Sequence, residues 1–171
     1  APPMFKPRSV HWSGRDIYPS RLCYGRRLRD IRFVESWSES GLDYEVEVPA
    51  LSDAVVFTRF PLWVVNPILL GAITSGFALW RSHEKFVGAF SFPFRLRKLA
   101  LHGAQPHEGT RLKCYLRLTG VTPKSHVCDI TATDGNGVTI MSLSGWEELT
   151  ERVPAEYREL VLQPANAFLT R

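Results

Sequence analysis

The stretch NPILLGAITSGFALW, residues 66–80, differs from the rest of the chain in the spacing of its apolar side chains. Its larger apolar residues recur every three or four positions, at Leu70, Ile73, Phe77 and Trp80. This is the period of an α-helix, and small or apolar residues fill most of the positions between them. A helix without a polar face must be buried, so the stretch predicts one long central helix at about residues 67–81.

The first residues of this helix carry a second signal. Asn66 precedes Pro67, and asparagine is a common N-cap while proline is favoured in the first helical turn. Capping is therefore the main interpretation of Asn66, and contact with a ligand is the alternative. Gly71 also has two interpretations, because a glycine either lets a helix pack closely on a sheet or leaves space for a pocket.

Segments typical of β-strands flank the helix on both sides. Residues 43–48 alternate between acidic and apolar side chains, as in a strand with one buried face. Before the helix we predict strands at residues 28–37, 43–48 and 54–57. After it we predict strands at residues 86–94, 96–101, 112–118, 127–133 and 138–143. The turn Asp134-Gly135-Asn136-Gly137 between the last two strands predicts a hairpin.

This order of elements predicts an α+β fold of the hot-dog class, a curved antiparallel sheet wrapped around one long central helix. A chain of 171 residues with 44% hydrophobic content suits a single core. We expect residues 18–171 to form that domain and residues 1–17, which show no period, to form a linker or an arm leading into it. In the tail, residues 146–162, we expect short helical or irregular packing broken by Pro154.

The composition argues against a disulfide-rich, a metal-binding or a membrane protein. The net charge of +4 is a mild excess, and three cysteines without a C-x-x-C pair suggest neither a disulfide framework nor a metal site. The chain has no signal peptide and no run of about 18 apolar residues, so we expect a cytoplasmic protein that does not enter a membrane. Because the chain begins at Ala1, we also consider it a fragment of a longer polypeptide.

Three segments then carry a family resemblance, in matching order and spacing. They are Tyr18-Pro19 with Tyr24-Gly25-Arg26-Arg27-Leu28, then Asn66-Pro67-Ile68-Leu69-Leu70-Gly71-Ala72, then Phe92-Pro93-Phe94-Arg95-Leu96-Arg97-Lys98-Leu99. Together they resemble the C-terminal hot-dog half of dehydratase domains in type I polyketide synthases. The ending, with Trp146, Pro154 and Pro164, resembles the iterative or polyunsaturated fatty acid synthase type.

The resemblance implies a catalytic pair that this chain lacks. In the family, a histidine of the first hot dog removes the α-proton, and an aspartate on the helix of the second protonates the leaving hydroxyl group. The aspartate position is Gly71 here, and the glutamine one turn later is Ser75. No histidine in the chain is followed by glycine four residues later, so the motif of the first hot dog is absent. We therefore assign no catalytic residue and expect the isolated chain to be inactive as a dehydratase.

The same resemblance implies a substrate site and partners. The substrate-binding candidates are Tyr24, Asn66, Pro67, Gly71 and Ser75. The substrate is expected on the phosphopantetheine of an acyl carrier protein, with no cofactor bound directly. Arg26, Arg27 and Arg29 lie in the densest basic run, which forms either a solvated strand face or a surface for docking an acidic carrier protein. Other expected partners are adjacent synthase domains, a first hot dog or a second copy of the chain, but not nucleic acid.

Three functions stay open at this point. The first is a dehydratase-like domain of a polyketide or fatty acid synthase that binds carrier-bound β-hydroxyacyl chains. The second is a free-standing, homodimeric hot-dog thioesterase or hydratase, and the third is a purely structural module of a megasynthase. A cysteine nucleophile is disfavoured because Cys114 and Cys128 lie among aliphatic residues. A triad of His126, Cys128 and Asp129 is rejected, because adjacent strand residues point to opposite faces.

Overall fold

The computed structural model describes residues 6–18, 22, 29–50, 64–83 and 89–152. In chain order the elements are β1 (Arg8–Ser13), α1 (Gly14–Ile17), β2 (Ile31–Ser38), β3 (Gly41–Glu47), α2 (Pro67–His83), β4 (Ala89–Leu101), β5 (Arg111–Val121), β6 (Ser125–Thr133) and β7 (Thr139–Arg152). The strands form one antiparallel sheet in the order β1-β2-β3-β5-β6-β7-β4. Within the described stretches, neither helix combines the length and apolar character needed to cross a membrane.

The path of the chain through this sheet places α2 at a crossover. Strands β1, β2 and β3 pair in sequence order, and so do β5, β6 and β7. After β3 the chain forms α2 and then β4 at the far edge beside β7, before it returns to pair β5 with β3. The predicted α+β architecture with one long helix is therefore confirmed.

Helix α2 lies in the core, as its composition predicted. Its side chains at Leu69, Ile73, Phe77, Leu79 and Trp80 are buried, and the helix contacts β2, β3, β5 and β6. Hydrogen bonds fix it in place: the Tyr44 hydroxyl donates to the carbonyl oxygen of Ile73. At the end of β2, Trp80 Nε1 donates to the Ser38 carbonyl at 2.8 Å, and Trp37 Nε1 donates to the Trp80 carbonyl at 3.2 Å.

The start of α2 is capped as expected. Asn66 Oδ1 accepts hydrogen bonds from the backbone N–H groups of Ile68 and Leu69, at 2.9 and 3.0 Å. These bonds satisfy two of the donors that a helix N-terminus leaves free. The helix runs from Pro67 to His83, two residues beyond the predicted end.

Ion pairs cover the outer face of the central strands. Arg32 pairs with Glu47 at 3.2 Å, Arg111 with Glu45 at 3.1 Å, and Lys113 with Glu35 at 2.9 Å. The basic side chains of these pairs are exposed and the glutamates are partly exposed, so each pair adds little to stability. Arg117 of β5 is different: it is buried, pairs with Asp43 at 2.6 Å and donates to the carbonyl oxygens of Leu42 and Leu116.

Three sequence expectations need correction or completion. The expected strands at residues 86–94 and 96–101 are one strand, β4, with an irregularity between Pro93 and Arg95. The tail was expected to be helical or irregular, but residues 146–152 continue β7, because this strand pairs on both sides with β4 and β6. Such pairing overrides a local helical spacing. The expected strand at 54–57 and the tail beyond residue 152 lie outside the described residues.

The arm predicted over residues 1–17 contains ordered elements that the sequence did not signal. Strand β1 pairs antiparallel with β2, and the single turn α1 follows it directly. Asp16 holds the start of this turn, since its Oδ2 accepts hydrogen bonds from the backbone N–H and from the hydroxyl of Ser13, both at 2.7 Å. The domain boundary at residue 18 stays a prediction.

Two glycines of α2 provide a matched test of this packing. A Cβ atom at Gly76 would overlap the buried ring of Tyr44, whereas one at Gly71 meets no described atom within 4 Å. We expect Gly76→Ala to lower the free energy of unfolding by roughly 1–3 kcal/mol, the usual cost of overpacking. Gly71→Ala should leave it unchanged or raise it by up to about 1 kcal/mol, since alanine is the better helix former.

The two variants and the unmodified chain are unfolded in urea, and circular dichroism monitors the transition. Equal effects of the two substitutions would contradict the placement of Tyr44 against α2.

Candidate functional site

A cavity of about 270 Å³ lies where the first half of α2 faces β4 and β7. The helix lines it with small residues, among them Gly71, Ala72, Ser75 and Ala78. Pro93 and Ser91 of β4, Glu148 of β7 and Asp30 from the segment before β2 complete the wall. Four separate parts of the chain therefore meet at this cavity.

Gly71 leaves open space in this cavity. No described atom lies within 4 Å of the position that its Cβ would occupy. In the described part of the structure Gly71 therefore has open space beside it, and its role in a substrate site stays a prediction. Close packing of helix on sheet is instead the role of Gly76, against Tyr44.

The hydroxyl groups near Gly71 are partly used by the helix itself. Ser75 Oγ donates to the Gly71 carbonyl oxygen at 2.6 Å, and Thr74 Oγ1 donates to the Leu70 carbonyl oxygen at 3.0 Å. Both residues still line the cavity, where a hydroxyl oxygen has a further lone pair to offer.

Glu148 is a buried carboxyl group of this cavity with both oxygens engaged. Oε2 accepts from the Ser91 hydroxyl at 2.6 Å, and Oε1 accepts from Trp146 Nε1 at 3.0 Å. Burial raises the pKa of Glu148 above its usual range, while the two hydrogen bonds and the positive charge of Arg81 act in the opposite direction. Glu148 is thus held in one orientation by its neighbours.

Asp30 is the second buried carboxyl group, with 8% of its surface exposed. Its Oδ2 atom is buried and makes no hydrogen bond with any residue that the structure describes. Burial raises the pKa of Asp30 to about 6; the Arg32 charge lowers it and the Glu47 charge raises it further. A carboxyl group with such a pKa can hold or release a proton near neutral pH.

The structure brings only part of the predicted site together. Gly71 and Ser75 line the cavity. Asn66 is buried and its side-chain oxygen caps α2, while Pro67 is exposed at the start of the helix. Tyr24, Arg26 and Arg27 lie outside the described residues. Arg29 is half-buried, with its guanidinium 5.6 Å from the centre of the Tyr18 ring.

The sequence analysis missed Asp30 and Glu148. Glu148 lies in the tail, where no strand was expected, so the side to which its side chain points could not be predicted. Asp30 carried one signal that was overlooked: it is the single acidic residue between Arg21 and Arg32, within the densest basic run. An isolated acid among arginines is a reason to look for a specific environment.

Other nucleophile or base candidates do not form a site. Cys114 and Cys128 are fully buried, and burial raises the pKa of both thiols, which keeps them protonated. Asp129 accepts hydrogen bonds from Ser144 Oγ at 3.1 Å and from the Gly145 backbone N–H at 2.8 Å. These partners hold Asp129 toward β7, away from the core where Cys128 lies.

His126 is buried against aromatic rings of α2. Its ring centre lies 6.0 Å from that of Phe77 and 5.7 Å from that of Trp80. Burial, and then the charge of Arg81, lower its pKa. Among the residues that the structure describes, no cluster of three or more histidine, cysteine or acidic side chains could hold a metal ion.

A family model matches residues 15–159, and its family is the polyketide synthase dehydratase N-terminal domain. The motifs quoted above led instead to the C-terminal hot dog of such domains, and the choice of half stays a prediction. A search of curated protein sequences found no match.

Solved dehydratase structures share the fold. The dehydratase domain from the CurJ module of curacin polyketide synthase is 16% identical with a TM-score of 0.61, over 83% of this chain and 50% of that one. GphF dehydratase 1 is 20% identical with a TM-score of 0.61, over 88% and 53% of the two chains. The PpsC dehydratase domain from Mycobacterium tuberculosis is 16% identical with a TM-score of 0.63, over 88% and 56%.

The chain thus spans about half the length of these solved dehydratases. Their fold confirms the predicted hot-dog class, with its antiparallel sheet and long helix. Since the family match extends over most of the sequence, from the turn α1 to beyond the end of β7, the chain belongs to the polyketide synthase dehydratase family.

Proposed function

We propose that this chain is a dehydratase-type domain of a polyketide or polyunsaturated fatty acid synthase that binds a β-hydroxyacyl chain but lacks the usual catalytic pair. The observation that carries the proposal is the cavity beside Gly71, where a Cβ atom would meet no described atom. The resemblance implies that the family's helix aspartate would stand at this residue. The substrate would arrive on the phosphopantetheine of an acyl carrier protein, so the chain itself needs no cofactor.

Support for an acyl ligand comes from the walls of the cavity. Ala72, Ala78 and Pro93 offer apolar contacts, while Ser75 and the two carboxyl groups offer polar ones. Binding sites for small ligands commonly combine an apolar lining with a few convergent polar groups. The solved PpsC dehydratase domain, which has the same fold, is in complex with C12:1-CoA.

The absence of the catalytic pair rests on the sequence. Gly71 has no side chain that could give up a proton, and no histidine stands in the expected motif. Elimination of water needs one group to accept the α-proton and one to donate a proton to the hydroxyl group. A base from another part of the synthase is therefore required for turnover.

The sheet edge at β4 supports a pairing partner. This strand pairs with β7 on one side, and among the described strands none pairs with its other side. It carries Phe94, 60% exposed, and Phe92, 37% exposed. An open edge with apolar side chains favours association with another strand. The partner would be a first hot dog of the same synthase or a second copy of the chain.

The same open edge favours the alternative of a free-standing homodimeric thioesterase or hydratase, whose site would lie between the subunits. A purely structural module would not need a cavity with buried carboxyl groups.

Docking of an acyl carrier protein at Arg26, Arg27 and Arg29 belongs to the first proposal, and its affinity would depend on the ionic strength of the solution.

The first prediction concerns turnover. Incubated with a β-hydroxyacyl-pantetheine substrate, the isolated chain should form no enoyl product above background, because loss of a positioned acid or base typically costs about 10²- to 10⁴-fold each. Gly71→Asp should fold, since its side chain has space, and should stay inactive because the α-proton still has no acceptor.

The product is measured by mass spectrometry, with an active dehydratase as the positive control. The double variant Asn66→His, Gly71→Asp should also form no enoyl product, because the new histidine would lie at the N-cap of the helix. Turnover by the unmodified chain would refute the claim that it lacks an acid and base pair, and release of free acid would support the thioesterase alternative.

The second prediction concerns pairing. In sedimentation velocity the chain should associate as its concentration rises, and Phe94→Lys should weaken this association by placing a charge on the β4 edge. Val121→Lys is the matched control, because Val121 is 62% exposed but lies on β5, an interior strand. A strict monomer at high concentration, or equal effects of the two lysines, would contradict pairing through β4.

A further inference from the structure

One side of helix α2 borders the cavity along two helical turns. Gly71, Thr74, Ser75 and Ala78 all line it, and their spacing of three, four and seven residues places them on the same side of the helix. Gly71 is exposed and the other three are half-buried, whereas Phe77 on another side is fully buried. This side of the helix is therefore accessible from the cavity.

The two ends of this helical side differ. Among the described residues of α2, only those from Gly71 to Ala78 line the cavity. Gly71 is exposed, so the cavity is open toward solvent at that end. One turn beyond Ala78 lies Arg81, a charged residue that is only 5% exposed. The cavity thus has an outer end at Gly71 and an inner end at Ala78.

Between these ends the hydroxyl hydrogens are already used. Thr74 and Ser75 donate to carbonyl oxygens of the preceding helical turn, at 3.0 and 2.6 Å. Across the cavity, Ser91 donates to Glu148 at 2.6 Å. The Asp30 Oδ2 atom is buried and adds no accessible oxygen to the wall. The helix therefore offers mostly carbon atoms to a ligand that lies along it, which suits an alkyl chain.

The size of the cavity limits the length of such a chain. Gly71 and Ala78 are separated by about 10 Å along the helix, at 1.5 Å per residue. An extended chain advances roughly 1.3 Å per carbon, because its bonds of about 1.5 Å zigzag, so about eight carbons fit. The volume of about 270 Å³ gives a similar capacity. It holds about nine groups the size of a water molecule, at roughly 30 Å³ each.

We propose that Ala78 sets the length of the acyl chain that this domain accepts, at about eight or nine carbons. This inference rests on the proposed function and adds to it the length class of the substrate and the residue that determines it. The chain would enter beside Gly71 and reach Ala78 with its last carbons. A larger side chain at residue 78 would occupy the space of those carbons and shorten the limit.

The test uses a series of β-hydroxyacyl-pantetheine probes with four, six, eight, ten and twelve acyl carbons. Each carries an amide in place of the thioester to prevent hydrolysis, and its dissociation constant is measured by calorimetry at pH 7. In the unmodified chain the affinity should rise up to about fourfold with each buried methylene as far as eight carbons. From ten to twelve carbons it should change by less than about twofold, because the added carbons are no longer buried.

Ala78→Leu adds three carbons at the inner end of the cavity. It should leave the affinity for the four-carbon probe unchanged and lower that for the ten-carbon probe by at least about tenfold, since two or three methylenes lose their burial. Ala104→Leu is the matched control, because Ala104 is exposed in the connection between β4 and β5. This variant should show the same dependence on chain length as the unmodified chain.

A second measurement covers the case in which Ala78→Leu does not fold. In the unmodified chain with methyl-labelled alanine, the signal missing from the Ala78→Gly spectrum identifies Ala78. This methyl signal should shift with the ten-carbon probe and not with the four-carbon probe, which is too short to reach it. The signal of Ala104, assigned in the same way, should respond to neither.

The outcomes separate the two proposals. If no probe of any length binds the unmodified chain, the acyl-binding function fails and the role of Ala78 fails with it. If probes bind but a folded Ala78→Leu variant keeps the original dependence on chain length, only the role of Ala78 is overturned. A steady rise in affinity to twelve carbons, or a response of the Ala78 methyl group to the four-carbon probe, would overturn it as well.

Discussion

The burial of one apolar helix is the constraint on which the other features of this domain depend. Between Ile68 and Trp80, helix α2 has only Thr74 and Ser75 as polar side chains, so the sheet must cover most of this stretch. Tyr44 and Trp80 turn this burial into a defined position, because each donates a hydrogen bond across the boundary between helix and sheet. The connection from β3 to β4 is long because it contains this helix and leads to the far edge of the sheet.

The glycines of α2 show how close packing and open space are combined in one element. Gly76 admits the Tyr44 ring, so the helix approaches β3 closely in the middle of its length. Gly71 lies five residues earlier and faces a cavity where a side chain would have room. Both are helix-breaking residues by propensity, and the surrounding contacts decide why each is tolerated. A glycine in a sequence therefore has no single meaning before its neighbours are known.

The cavity keeps carboxyl groups even though the helix has none there. Asp30, which precedes β2, and Glu148, which lies on β7, both line it. Glu148 is held by Ser91 and Trp146. Asp30 Oδ2 is buried and has no hydrogen-bond partner among the described residues, so the two carboxyl groups are held differently.

The sequence by itself determined the elements that depend on neighbouring residues. The three-to-four spacing defined α2, Asn66 and Pro67 marked its start, and the alternation of residues 43–48 gave the inner face of β3. The sequence also carried the family resemblance at residues 66–72. These signals are local, because helix periods, caps and strand alternation involve residues only a few positions apart.

Only the tertiary structure decided which distant residues meet. The strand at residues 146–152 exists because β4 and β6 pair with it on both sides, against its helical spacing. Arg117 is buried because Asp43 and two carbonyl groups receive its guanidinium. The pKa of Asp30 near 6 results from elements that pack around it, and Glu148 reaches the same cavity from far along the chain. Burial is a property of the assembled fold, so no local pattern in the sequence could have encoded it.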